Sequence, residues 1–206
     1  MQITLIDPLI GQAHGIKNIS SYLKSHGHQV KIIILNTNLS KLIHKKNYII
    51  RYGKDEINEI LNHCAGSDIV GISVMTNAFD MAQQLTSEIK SKLNIPVILG
   101  GIHPTLRPEE CLQFADMVCL GEGEVSVLEL LNNMEKGIDF TSTKGIWFKK
   151  NGRLIKNSYR ELVSNIDMFP IEELNVENFS VLENRKIITP NQFMFYPKGQ
   201  YSILTA

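Results

Sequence analysis

At 206 residues the chain has room for one domain of ordinary size plus an extension, and a hydrophobic share of 43% with 20% charged residues is that of a globular protein with a real core. Lysine plus arginine equals aspartate plus glutamate, 21 each, so the basic excess of a nucleic-acid binder is missing, and the neutral balance suits a large ligand held by shape and hydrogen bonds. The odd count of cysteines (Cys64, Cys111 and Cys119, with no CxxC spacing) argues against a disulfide framework and for the cytoplasm, while no signal peptide and no run near the ~18 apolar residues of a membrane span is found.

In chain order, Ile3–Ile6 is a short apolar run ended by Asp7-Pro8, and Ile16, Ile19 and Leu23 then repeat at helical spacing up to Gly27. Val30–Leu35 follows as a second strand. Its consecutive Ile32, Ile33 and Ile34 imply burial on both faces, as in a parallel sheet. Residues 36–53 are polar and basic, read as a loop with a short helix. Ile57, Ile60, Leu61 and Cys64 mark the next helix, and Asp68–Val74 the third strand. Ala78, Ala82, Leu85, Ile89 and Leu93 form the clearest amphipathic helix. Ile95–Leu99 is the fourth strand, ending in Gly100-Gly101. Pro108-Glu109-Glu110 opens a short helix, since proline suits the first helical position and carboxylates the positive end of the dipole. Met117–Leu120 is the fifth strand, and Val127, Leu130, Leu131 and Met134 mark the fifth helix.

Five strand–helix units with short links predict an α/β fold: a flavodoxin-like (Rossmann-like), doubly wound, five-stranded parallel sheet in the order 2-1-3-4-5. Gly145–Phe148, the turn Asn151-Gly152 and Leu154–Lys156 predict a C-terminal β-hairpin. Residues 158–200, with Pro170, Pro190 and Pro197, read as an extended connector, and Tyr201–Thr205 as a further strand. Ending on a strand, the sequence is expected to be cut before a second domain. The expected division is 1–137 for the α/β domain and 138–206 for hairpin and connector.

In an open parallel sheet the ligand lies beyond the carboxyl ends of the strands. The loops there carry Asp7 to Gly15, Ser73 to Asn77, Gly100 to Thr105, and Gly121 to Glu124. Adjacent glycines give up backbone entropy and packing, which is useful where a bulky group approaches the main chain. A plain turn is the alternative for Gly100-Gly101, and helix capping the alternative for Glu124. The carboxylates of the Gly121–Glu124 loop disfavour a bound phosphate at that helix start. No GxxxxGK[ST] phosphate loop occurs, and Gly11 and Gly15 do not supply GxGxxG. A receiver domain needs paired acids after the first strand, where only Asp7 stands, and an aspartate where the third strand ends in Ser73. A flavodoxin's hydroxyl-rich phosphate loop is also missing.

Four segments in register, Gly71-Ile72-Ser73-Val74-Met75-Thr76, Val97 to Thr105, Pro108-Glu109-Glu110 and Leu120-Gly121-Glu122-Gly123-Glu124, resemble the N-terminal cobalamin (B12)-binding domain of B12-dependent radical S-adenosylmethionine (SAM) enzymes. The likeness covers about residues 1–135, and the 145–157 hairpin and Asp167-Met168-Phe169-Pro170 extend it. The resemblance implies a corrin resting over the strand ends and a nucleotide tail in a slot beside the sheet. Gly100 and Gly101 would leave space for that tail, Ser73 would hydrogen-bond it, and Met75 and Thr76 would line the slot or touch the corrin. Asp7, Gln12, His14, His103, Gly121, Glu122 and Gly123 complete the implied cofactor-binding set. The DxHxxG motif whose histidine ligates cobalt is absent, because His14 stands seven residues after Asp7. Base-off cobalamin without a histidine ligand is therefore expected, with corrin-amide contact or turn packing for His103.

The resemblance further implies a radical SAM domain on the same chain, carrying a 4Fe-4S cluster and SAM, with methyltransferase or oxidative cyclase activity. Neither catalytic nor metal-ligating residues are expected in these 206 residues, nor nucleic-acid or membrane partners. Two other readings stay open: a B12-like scaffold or substrate-contact domain of a radical SAM protein that has lost the cofactor, and an unrelated doubly wound domain such as a sugar-nucleotide-binding half or a regulatory module.

Overall fold

The computed structural model describes residues 1–8, 13–35, 51–171, 179–183 and 185–189. Gln12, most of the 36–53 loop, Pro190, Pro197 and the strand expected at Tyr201–Thr205 lie outside the described residues.

The central strand is β1 (Gln2–Asp7), flanked in parallel by β2 (Gln29–Leu35) and β3 (Ile69–Ser73). Beyond β3 come β4 (Val97–Gly100) and β5 (Met117–Cys119), also parallel. This is the expected 2-1-3-4-5 order. The right-handed crossovers of such a core require helices on both faces. Helices α1 (His14–Ser25) and α6 (Glu124–Glu135) share one core cluster, and α2 (Lys54–Cys64) and α3 (Phe79–Leu93) share the other. Between β4 and β5 lie two short helices, α4 (Ile102–Leu106) and α5 (Pro108–Cys111), divided at Arg107.

Side chains alternate across a strand, so each strand feeds both cores. Ile3, Leu5, Ile69, Ile98, Met117 and Cys119 pack toward α1 and α6. Ile6, Ile72, Val97, Leu99 and Val118 pack toward α2 and α3. Thr4 is buried without cost to the core because its hydroxyl meets Ser67 Oγ at 2.7 Å.

The five expected parallel strands form the middle of a sheet that has nine strands among the described residues, with two further strands at each edge. The hairpin β6 (Ile146–Lys150) and β7 (Arg153–Ile155) joins the β5 edge antiparallel. Its turn falls on Asn151 and Gly152, at φ 51° and 75°, the left-handed pair an Asn-Gly turn favours. At the other edge β8 (Phe179–Glu183) runs parallel to β2 and turns back into β9 (Lys186–Ile188). Part of the expected connector is therefore sheet: Phe179 and Val181 reach the α1 side, and Leu182 the α2 side. Among the described residues no helix is long and apolar enough to cross a membrane.

Candidate functional site

On the face toward α1 and α6, side chains shrink as β3 and β4 approach their carboxyl ends. Pairing puts Gly71 beside Ile98 and Ser73 beside Gly100, two levels of the same face. Gly71 and Gly100 present no side chain at all. Facing them, α1 offers Gly15, and α6 is entered through Gly121 and Gly123. The result is a cleft of about 340 Å³ between sheet and helices, opening at the strand ends. Its size is at the lower end of the about 300–1,000 Å³ usual for small-molecule sites. Apolar side chains make its depth, among them Leu5, Ile16, Ile19, Ile98 and Val127. Ser73, Thr105, Glu122 and Glu124 supply its polar groups.

The rim is held by the main chain. Val74 N–H donates to Gly100 O at 2.7 Å, and His103 N–H donates to Val74 O at 3.1 Å. Gly101 sits at φ 103°, and a Cβ there would lie 3.0 Å from Val74 O and 3.1 Å from Val74 N. A Cβ on Gly100 would meet only Cys119 Cβ, at 3.8 Å. The two glycines thus differ: Gly101 makes the turn possible, and Gly100 keeps the cleft open. Thr105 ties two loops together, its hydroxyl donating to Gly101 O at 2.8 Å and accepting from Gly121 N–H at 3.1 Å. Gly123 lets α6 approach α1, since a Cβ there would fall 2.8 Å from Ile19 Cδ1.

Glu124 is the buried ionisable group of the cleft. Burial pushes its carboxyl above the ordinary carboxylate range and the neighbouring Glu122 adds to this, with backbone N–H groups at the helix start offsetting part of it. Cys119 also faces the cleft, and burial pushes its thiol up to about 12, so it remains a neutral S–H. Neither lysine nor arginine lines the cleft among the described residues.

Of the residues singled out from the sequence, Ser73, Gly100, Gly101, Gly121, Glu122 and Gly123 line one cleft. The Ser73 hydroxyl faces it with no hydrogen bond to another described residue. Asp7 ends β1 and His14 begins α1, both outside the lining. Met75 and Thr76 are exposed beyond the end of β3. His103 turns to the opposite face: its ring lies 4.4 Å from that of Phe79, with Nδ1 3.4 Å from Thr76 Oγ1 and Nε2 3.8 Å from a Glu110 carboxylate oxygen. These contacts fit the turn-packing role expected for His103. Gly15, Gly71, Thr105, Cys119 and Glu124 line the cleft too; Gly15, Thr105 and Glu124 lay in the loops expected to face a ligand without being singled out, and Gly71 and Cys119 lay outside those loops. Strand parity could have found Gly71 and Cys119, which lie two residues from Ser73 and Gly121. No group of three or more potential ligands gathers to hold a metal ion among the described residues.

In a doubly wound domain, ligands bind in the crevice beyond the carboxyl ends of the strands, and this apolar cleft opens there. The chain is a member of the B12-binding domain family, whose model it matches over residues 8–131. Among curated proteins it is 36% identical over 109 residues to an uncharacterized methyltransferase of Pyrococcus horikoshii, covering 50% of this chain and 24% of that protein. It is 22% identical over 138 residues to the anaerobic magnesium-protoporphyrin IX monomethyl ester cyclase of a Synechocystis strain, covering 64% and 28%. Among solved structures it superposes on the cobalamin-dependent SAM radical enzyme OxsB with aqua-cobalamin and SAM bound, at a TM-score of 0.65 and 20% identity over 85% of this chain and 24% of that one. The radical SAM methyltransferase TsrM of Kitasatospora setae, with cobalamin and a [4Fe-4S] cluster bound, gives 0.59 and 15% over 82% and 30%. These two show the fold. The chain spans about a quarter of the length of the curated relatives, 24% and 28%.

Proposed function

We propose that this chain is the cobalamin-carrying module of a radical SAM enzyme of the methyltransferase or cyclase type. The observation that carries the reading is the cleft: a Cβ-free strand end at Gly100, a Ser73 hydroxyl on its lining with no hydrogen bond to another described residue, and an apolar floor fit a corrinoid's nucleotide tail. When bound, the cofactor would supply methyl-transfer or one-electron cobalt chemistry to a catalytic half that holds the 4Fe-4S cluster and SAM. This chain's residues bind and orient: Ser73 offers a hydroxyl to the tail, Thr105 fixes the rim, and Gly100 leaves room. A nucleotide tail held in the cleft would leave the cobalt base-off, and among the described residues no histidine lines the cleft to supply an imidazole in its place. We place the binding unit within residues 1–137, as the family match to 8–131 favours. Residues 138–206 then carry the edge hairpins and the path to the catalytic half. The free, buried thiols of Cys64, Cys111 and Cys119 favour the reducing cytoplasm.

The test mixes the purified chain with hydroxocobalamin and passes it through a desalting column. Corrin absorbance co-eluting near one per chain is expected. After reduction to Co(II), the electron paramagnetic resonance spectrum should lack nitrogen splitting. Loss of all corrin on the column would leave the domain as a scaffold, and a histidine-type nitrogen splitting would overturn the ligation reading.

A further inference from the structure

Polarity in the cleft is confined to one level. Ser73, Gly100 and Cys119 occupy the mouth, and one step inward on the same face lie Leu5, Gly71 and Ile98. Two residues of parallel strand separate these levels by about 6.6 Å. Beneath the mouth the walls come from Ile16, Ile19 and Val127. Thr105 and Glu122 belong to the rim, and Glu124, though buried, is the first residue of α6 and so lies at the same carboxyl edge, one helical turn before Val127. Among the described residues, a heterocycle pushed past Ser73 therefore meets only hydrocarbon and the Gly71 backbone, whose amide and carbonyl are committed to the sheet.

Corrinoids differ in the base that ends their nucleotide tail. A dimethylbenzimidazole has two methyl groups and one free ring nitrogen; adenine has an exocyclic amine and several ring nitrogens. Each buried polar group left without a partner weakens binding by about tenfold or more. We propose that the cleft selects corrinoids by this base, accepting a benzimidazole and rejecting adenine. That selectivity rests on the cofactor reading above and adds the ligand class to it. The floor of Leu5, Ile98 and Val127 is the discriminating element, and Gly71 gives the base its depth. The strand-end hydroxyl of Ser73 reaches one polar atom, which suffices for the benzimidazole and leaves the adenine amine unpaired.

The experiment titrates the full chain with three aquo-corrinoids: the benzimidazole form, the adenine form, and cobinamide, which lacks the nucleotide. Tryptophan quenching or corrin absorbance reads the Kd of each. The benzimidazole form is expected to bind at least about tenfold more tightly than the adenine form. Cobinamide should be weaker than the benzimidazole form. Equal affinity for both nucleotide forms, or cobinamide equal to the benzimidazole form, overturns the selectivity and leaves corrinoid binding standing. Failure of all three to bind overturns the cofactor reading as well. In Ile98→Asn, which adds a donor and an acceptor to the floor, the ratio between the nucleotide forms should fall. The wild-type comparison decides the matter even if that variant does not fold.

Discussion

Gly100 and Gly101 are neighbours in sequence with opposite tolerances. At Gly101 an alanine would force φ 103° on a residue with a Cβ and press that Cβ to 3.0 Å from a backbone oxygen. Strained backbone of this kind costs about 1–3 kcal/mol. At Gly100 the added methyl meets one Cβ at ordinary contact distance, 3.8 Å. Gly101→Ala should therefore lower the stability measured by urea unfolding by about 1–3 kcal/mol. Gly100→Ala should leave stability nearly unchanged and weaken corrinoid retention; equal stability losses would refute the division of labour. Glu124 gives the complementary case, where the site costs the fold something. Its folded-state pKa lies above the ordinary 4.5, chiefly through burial, so the wild type carries a penalty at pH values above 4.5 that vanishes below it. Glu124→Gln should raise Tm at pH 7, each kcal/mol of relief being worth about 2–4 °C in a chain this size. The gain should disappear near pH 4.5, and a gain of the same size at both pH values would show that burial of charge is not its source. The Gly-Gly pair was visible in the sequence because adjacent glycines at a strand end are costly. Which glycine did which work was not, since that depends on Val74 crossing behind one of them.

The parallel core was legible as elements because its strands do not alternate. Ile32, Ile33 and Ile34 are each buried, two toward one core and one toward the other, which only a sheet covered on both faces permits. The α4–α5 pair was half-legible: Pro108 marked the second helix, while the five-residue first helix is too short to show a period. The strand β8 escaped entirely. Five residues with Ser180 and Glu183 among them look like connector, and what makes them a strand is the free edge of β2, a partner far away in sequence. Phe179 tests whether this edge strand belongs to the folding unit. It is 1% exposed, paired in register with Ile32, and the Lys17 ammonium lies 5.5 Å from its ring centroid. Phe179→Ala should cost about 3–5 kcal/mol, the range for a truncated buried phenylalanine. A loss below about 1 kcal/mol would mean that β8 frays without consequence for the core.

At the scale of the molecule, binding and closure occupy opposite ends of the sheet. The cleft opens at the carboxyl ends of the strands. At the amino ends His28, just before β2, joins the start of β1 to the last turns of α6. Met1 N–H₃⁺ donates to His28 Nδ1 at 3.3 Å and to Glu135 at 2.8 Å, and His28 Nε2–H donates to Asn132 Oδ1 at 3.2 Å. This arrangement needs a neutral ring, because a proton on Nδ1 would face an ammonium. Burial first, then the N-terminal charge, hold the His28 pKa below its ordinary 6.5, against smaller opposing contributions from Asn132 and Glu135. The unfolded chain therefore binds the proton more readily than the native one. Stability is complete above pH 6.5 and falls as the pH drops through 6.5 toward the folded-state pKa. His28→Gln keeps a donor and an acceptor at this position but cannot titrate. Urea midpoints measured from about pH 7 to about pH 5 should decline more steeply in the wild type than in this variant. Parallel slopes would exclude His28 as the source. Corrinoid affinity at pH 7 should be the same in both, because His28 does not line the cleft, whose opening lies at the other ends of the strands.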